Sequence, residues 1–247
     1  MPNPTPLSLK PHAFACMVDD EMIFLDVKND QYFQLDPKQA PIAAAMLGMS
    51  LSNSNKEHHS DAQLSISDAE REAIINKLVD IGVAMRSDGR ETTRNTFNDT
   101  RSLREAPSLI PVSEPRINVT DILKLARAYI ATTIRLRFFG LESSIAHLRK
   151  SKRGIPDTLN ADDKMNTLFA LVERYKTLKP VFVKTQDNCL FNALFLIEFL
   201  AMHGEPAELW IGVRVHDFGA HAWVRQGDIL IDDFLHTVAQ YKPILVV

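Results

Sequence analysis

Three short runs rich in strand-forming residues occupy positions 12 to 35: "HAFACMV", "EMIFLDVK" and "QYFQL". The pairs "DD" and "ND" between them suit tight hairpins, so the pattern predicts a three-stranded antiparallel meander. After it, "APIAAAMLGM" predicts a short helix with Pro41 near its start, because an interior proline would break the helix. Residues 50–65, "SLSNSNKEHHSDAQLS", hold few apolar positions and read as a loop. Ser67 and Glu70 then stand at the spacing of a capping box, each side chain answering the other's free backbone N–H. Ile74, Ile75, Leu78, Val79 and Ile81 mark one face of the helix that follows, and Gly82 offers its end.

From 92 to 115 the chain loses any sustained period, and Thr, Asn, Arg, Ser and Pro dominate. This stretch is the expected linker between a domain at 1–91 and one at 116–247. Beyond it Val119, Ile122, Leu123, Ala126, Tyr129 and Ile130 fall at helical spacing. "ADDKMNTLFALVERYKTL" opens on acids and closes on lysines, as a helix dipole favours. A further helix runs through "DNCLFNALFLIEFL". After Gly204 and Pro206 the period becomes two, in "AELWIGVRV", "HAWVRQ", "DILIDD" and "KPILVV". Helices followed by an antiparallel sheet make the second domain α+β.

A length of 247 residues favours two domains, and 45% apolar with 24% charged residues describes a chain able to bury a real core. The net charge of -3 gives no electrostatic case for a nucleic-acid partner. The proline-rich start has no apolar core of signal-peptide type. The run from Leu190 to Met202, interrupted by Asn192 and Glu198, falls short of the ~20 residues a membrane span needs. Cys16 and Cys189 form no metal-ligand pair, and reduced thiols fit a cytoplasmic setting. No metal, cofactor or membrane partner is therefore expected.

Chemistry enters at Cys189. Asp187 or Asn188 can cap the helix that begins beside it, placing the thiol in the first turn, where unpaired N–H groups favour the nucleophilic thiolate. A lone cysteine beside an apolar helix is otherwise a core residue, so a base is needed. His221 starts a strand, flanked by Gly219, Ala220 and Ala222, which leave it uncrowded. A turn near Gln226-Gly227 returns the chain along a strand ending in Asp232-Asp233. A two-residue turn pairs Arg225 with Asp228 and sets Asp232 opposite His221, whereas a three-residue turn pairs Arg225 with Ile229 and sets Asp233 there. Spacing leaves both acids open. Thiol, imidazole and carboxylate together form a Cys-His-Asp constellation.

The segment "CLFNALFLIEFLAMHGEPAELWIGVRVHDFGAHAWVRQGDILIDD", with the closing "PILVV", resembles the leader peptidase of lasso-peptide biosynthesis, one of the transglutaminase-like cysteine proteases. The shared marks are a Cys-Leu helix start, a "GVR" strand, Phe-x-Ala-His-x-Trp and a strand ending in an acid. "MIFLDVKNDQYFQLD" resembles the winged-helix-like recognition element that holds the leader of a ribosomally made precursor. The resemblance implies Cys189 as nucleophile, His221 as base and Asp233 as third member, the last in place of Asp232. It implies strand addition of the leader along Gln31 to Leu35, with Tyr32, Phe33 and Gln34 as leader-binding residues. It also implies two partners: the precursor peptide, and an ATP-dependent, asparagine-synthetase-like lasso cyclase that closes a ring on the freed amine. A non-catalytic peptide-binding adaptor and an acyltransferase using the same thioester are the competing readings. Of the remaining residues, His58-His59 reads as solvated, Cys16 as a core thiol, and Arg214 as a surface ion pair or a steadying residue near the site.

Overall fold

The computed structural model of the chain describes residues 7–49, 67–87, 104–105, 117–151, 161–183 and 188–247. The loop predicted at 50–65 with His58 and His59, nearly all of the linker at 92–115, and Asp187 lie outside the described residues. Contacts divide the chain into two compact units. One comprises Met1–Asn98, Val213–Gly219 and Lys242–Leu245, and the other Asp99–Gly212, Ala220–Tyr241 and Val246–Val247.

The first ninety residues begin with β1 (Leu7–Leu9) and then form the predicted meander of β2 (Ala13–Val18), β3 (Glu21–Asp26) and β4 (Gln31–Leu35), paired antiparallel in that order. Its turns use Asp19 and Asp30 at φ 52° and 53°, a left-handed conformation that aspartate tolerates because its short side chain bonds nearby backbone. The buried Asp26 carboxylate accepts from the Lys28 and Asn29 backbone N–H groups at 2.9 and 3.2 Å, fixing the second turn. Helix α1 (Ala40–Met46) carries its proline in the first turn. Helix α2 (Asp68–Asp80) opens on the Ser67/Glu70 capping box with both bonds made, and buries Ile74, Ile75 and Leu78. One pairing lies beyond the sequence reading: β5 (Ala84–Arg86) runs antiparallel to β1. Three-residue strands are too short to display period two. Leu7, Leu9, Phe24, Leu35, Leu78 and Ala84 belong to the core these elements share.

After β6 (Arg104–Glu105), helix α3 (Val119–Ile134) continues through one π turn, Arg135–Phe139, into α4 (Gly140–Ser151). Helices α5 (Ala161–Phe182) and α6 (Cys189–Ala201) follow. The sheet then adds β7 (Glu208–Arg214), β8 (Gly219–Gln226), β9 (Ile229–Ile231), a short α7 (Leu235–Val238) and β10 (Lys242–Val246), in the order β10-β7-β8-β9-β6. Four of these strands form an antiparallel sheet, with β6 added parallel to β9, so the predicted α+β succession of helices then sheet is present.

Two features of the helices differ from expectation or exceed it. The face of α3 that periodicity singled out is largely the wet one, since Val119, Ile122, Leu123 and Ile130 are exposed while Asp121, Leu125, Ala128 and Thr132 are buried. The buried stripe includes two polar residues and so hides from a count of apolar positions. Asp121 is held there by the Asn118 N–H at 3.0 Å and by Arg174 at 3.5 Å. On α6 the buried Glu198 accepts from Arg135 and lies 3.1 Å from His147, which compensates a carboxylate inside an apolar helix.

Candidate active site

Helix α6 starts where its sequence says it should. The Asn188 side chain accepts from the Phe191 N–H at 2.9 Å, and its carbonyl accepts from the Asn192 N–H at 3.0 Å. Cys189 is therefore the first helical residue and half-buried, at the positive end of the helix dipole.

Strand β8 brings the imidazole. His221 and Trp223, two residues apart, share one face, and their rings lie nearly parallel with centroids 6.1 Å apart. The Tyr241 ring approaches His221 at 5.2 Å. The close fit of this aromatic wall depends on Gly212 of β7. A Cβ there would sit 2.7 Å from Trp223 Cη2 and 2.9 Å from Tyr241 Cβ.

The hairpin between β8 and β9 adopts neither anticipated register. Gln226 pairs with Ile229 and Arg225 with Leu230, so the loop is Gly227-Asp228, with Gly227 at φ 62° as a type II′ turn requires of its first residue. Continued further, that register would set neither acid opposite His221. Instead β9 stops at Ile231, and Asp232 at φ 57° turns the chain out of the ladder. The bend delivers Asp233, whose Oδ2 lies 2.6 Å from His221 Nε2 while Oδ1 accepts the Phe234 N–H at 2.7 Å. The Asp232 carboxylate faces Lys179 and Lys176 instead, at 3.8 and 3.9 Å. Burial raises its pKa, against the pull of both lysines.

Cys189 hydrogen-bonds the imidazole. Since Asp233 holds Nε2, Nδ1 is the ring nitrogen left for sulfur. Burial pushes the thiol up, yet the bond to His221, backbone bonds from Ala222 and Leu190, and the imidazolium charge bring it below its ordinary value. His221 is pushed up to about 9, first by the bond to Asp233 and then by that to Cys189, against the opposing effect of burial. The two shifts act in the same sense, favouring thiolate over thiol and imidazolium over imidazole. A cavity of about 320 Å³ opens beside it, with Lys179, Cys189, Asn192, His221, Asp232 and Asp233 among its walls. A sulfur at a helix start with its pKa lowered, next to an imidazole that can carry a proton and in an open cavity, is equipped to attack an acyl carbon and protonate the departing group.

The other residues singled out from sequence lie elsewhere. Phe33 packs on the core of the first ninety residues, Tyr32 meets the Phe218 ring edge-on at 5.6 Å, and Gln34 is exposed on β4. Arg214 lies against Gly219, its Nε 3.1 Å from where a Cβ would stand. Cys16 is buried, and burial pushes its thiol up to about 12. Among the described residues no group of potential metal ligands assembles, and no helix is long and apolar enough to cross a membrane. Tyr241 and Lys179 escaped the sequence reading, and Gly212 entered it only as part of the "GVR" strand. Only Gly212 left a signal there, because a glycine inside a strand marks close approach of another group.

Residues 126–246 match the core family model of the transglutaminase-like superfamily, so the similarity lies in the C-terminal half of the chain. The matched stretch takes in Cys189, His221 and Asp233. No curated protein and no solved structure matches the chain.

Proposed function

We propose that this chain is a cysteine peptidase that binds the leader of a ribosomally synthesised lasso-peptide precursor and hydrolyses the leader–core bond. The observation that carries the proposal is the convergence of Cys189, His221 and Asp233 beside an open cavity. Enzymes of the transglutaminase-like superfamily typically use such a Cys-His-Asp set, which supports assigning these three the roles of nucleophile, acid/base and orienting carboxylate.

Cys189 thiolate attacks the scissile carbonyl, and the tetrahedral intermediate collapses as the His221 imidazolium gives its proton to the departing amine. The core leaves with a free α-amine and the leader remains as a thioester on sulfur. His221, now neutral, deprotonates a water that attacks the thioester, returning thiolate, imidazolium and a free leader carboxylate. Asp233 holds the ring so that one nitrogen always faces sulfur. The leader would add as a strand to β4, which ends the β2-β3-β4 order, with Tyr32, Phe33 and Gln34 nearest to it. A lasso cyclase would then use ATP to activate a core carboxylate for ring closure on the new amine.

Cys189→Ala incubated with the precursor, read by mass spectrometry, tests the reading. Core release should vanish while leader affinity stays within about twofold, because β4 is untouched. Continued cleavage would sink the peptidase assignment. The superfamily match is shared by acyl transfer, and the same experiment on the unaltered chain with added primary amine separates the two: a leader of hydrolysed mass supports water as acceptor, and an amidated leader supports transfer.

A further inference from the structure

Besides sulfur, the cavity next to Cys189 is lined by the polar side chains of Lys179, Asn192, His221, Trp223, Asp232 and Asp233. Most of them are engaged. His221 and Asp233 bond each other at 2.6 Å, and the Lys179 ammonium lies 3.8 Å from Asp232 and over the Tyr175 ring. Trp223 Nε1 has no partner among the described residues, but it is shut away from solvent and so beyond reach of a bound molecule. Asn192 differs from all of these. Its side chain makes no hydrogen bond among the described residues, and its Oδ1 is buried while its NH2 group is not. The NH2 is therefore the end of the amide that meets the cavity.

Asn192 stands three residues after Cys189 on α6. Residues three apart share a helix face, and helical side chains lean toward the N-terminus, so the amide reaches back toward sulfur. A carbonyl oxygen buried without a donor destabilises a fold, and asparagine is a poorer helix former than the leucines around it. Packing gives no account of the amide, whereas a charge that exists only during reaction does. When sulfur attacks an acyl carbon, the π pair of the carbonyl moves onto oxygen, and that oxygen calls for hydrogen-bond donors. Backbone donors close by are committed: the Leu190 and Ala222 N–H groups bond sulfur, the Phe191 N–H is held by the Asn188 side chain, and the Asn192 N–H by the Asn188 carbonyl.

We propose that the Asn192 NH2 group is the side-chain donor to the oxyanion formed when Cys189 is acylated. As the S–C bond forms, the carbonyl π pair shifts to oxygen, where the NH2 donates to it. On collapse the pair returns to re-form C=O, the bond to the leaving group breaks, and the departing amine takes its proton from His221. The inference rests on Cys189 being the nucleophile of the reading above, and it holds whether water or an amine accepts the acyl group.

Two reagents separate this role from a structural one, applied to the full chain, to Asn192→Leu and to Asn192→Ala. p-Nitrophenyl acetate acylates a nucleophilic sulfur through an oxyanion, whereas iodoacetamide alkylates it by displacement at carbon without one. In both variants acylation, read as the nitrophenolate burst, should slow by a factor on the order of a hundred, while alkylation stays within about twofold. With the precursor as substrate, kcat should fall by a similar factor and KM stay within about twofold, as for a contact made only in the transition state. The melting temperature of Asn192→Leu should equal or exceed that of the unaltered chain, because Oδ1 has no bond to lose. Acylation at the unaltered rate in both variants overturns the inference and leaves Cys189 as nucleophile. So does a parallel fall in acylation and alkylation, which would mean that Asn192 only places the sulfur, or a raised KM with kcat kept. A burst that is absent from the unaltered chain, or that persists in Cys189→Ala, sinks the nucleophile assignment and this inference with it.

Discussion

Sulfur and imidazole titrate as a unit, and the pH dependence of the proposed cleavage follows from the direction of each shift. The Cys189 pKa is lowered and that of His221 raised to about 9, so both shifts favour the ion pair. A group whose folded pKa is raised stabilises the fold below its unfolded value and loses that contribution as pH climbs through the folded one. His221 thus contributes fully below about 6.5 and ceases to above about 9. The rate constant kcat/KM should rise on an acid limb set by the thiol, placed below the ordinary thiol range, and fall above about pH 9. In Asp233→Asn the largest cause of the raised imidazole is gone, so the alkaline limb should move to lower pH, with kcat down by a factor on the order of a thousand or more. Asp232→Asn should keep the limb in place. A limb that moves only with Asp232 would reverse the assignment of the two acids. The thiol and imidazole that meet in the structure were legible as candidates because a cysteine at a cap and a histidine among small residues each show locally. The acid was not, since a left-handed bend at Asp232 has no signature in residue type, and resemblance rather than register pointed to Asp233.

Elements were legible in proportion to their length and caps. The meander, the Ser67/Glu70 capping box and the helix from Asn188 carry their signals within a few residues, whereas β1 with β5 and the parallel β6 are made of strands two or three residues long. Periodicity chose the wet face of α3 because its buried face includes Asp121 and Thr132. Two substitutions test how elements hold the site and the interior. Gly212→Ala forces Trp223 and Tyr241 outward, so it should cost about 1–3 kcal/mol in denaturant unfolding and lower cleavage by moving the wall against which His221 is set. Arg135→Met strands the Glu198 carboxylate and should cost about 3–5 kcal/mol, while adding Glu198→Leu should restore most of the loss. An additive double variant would mean that the pair is not coupled.

The compact units of the whole molecule do not follow the order of the chain. Val213–Gly219 and Lys242–Leu245 count with the first unit although they come late in sequence, a consequence of long-range contacts that composition cannot announce. A fragment of residues 116–247 should accordingly melt at a lower temperature than the full chain, and an equal Tm would show that these segments fold without the rest. The two thiols also differ across the molecule. Cys16 is sealed among β2 and β3 residues with its proton held up to about 12, while Cys189 has its pKa lowered, chiefly by the bond to His221, and lines an open cavity. Iodoacetamide at neutral pH should therefore alkylate Cys189 and spare Cys16, as tryptic peptide masses would reveal. Peroxide would make the same choice, carrying the Cys189 sulfur to sulfenic acid, so preparations kept without a reducing agent should fade in activity while their fold persists.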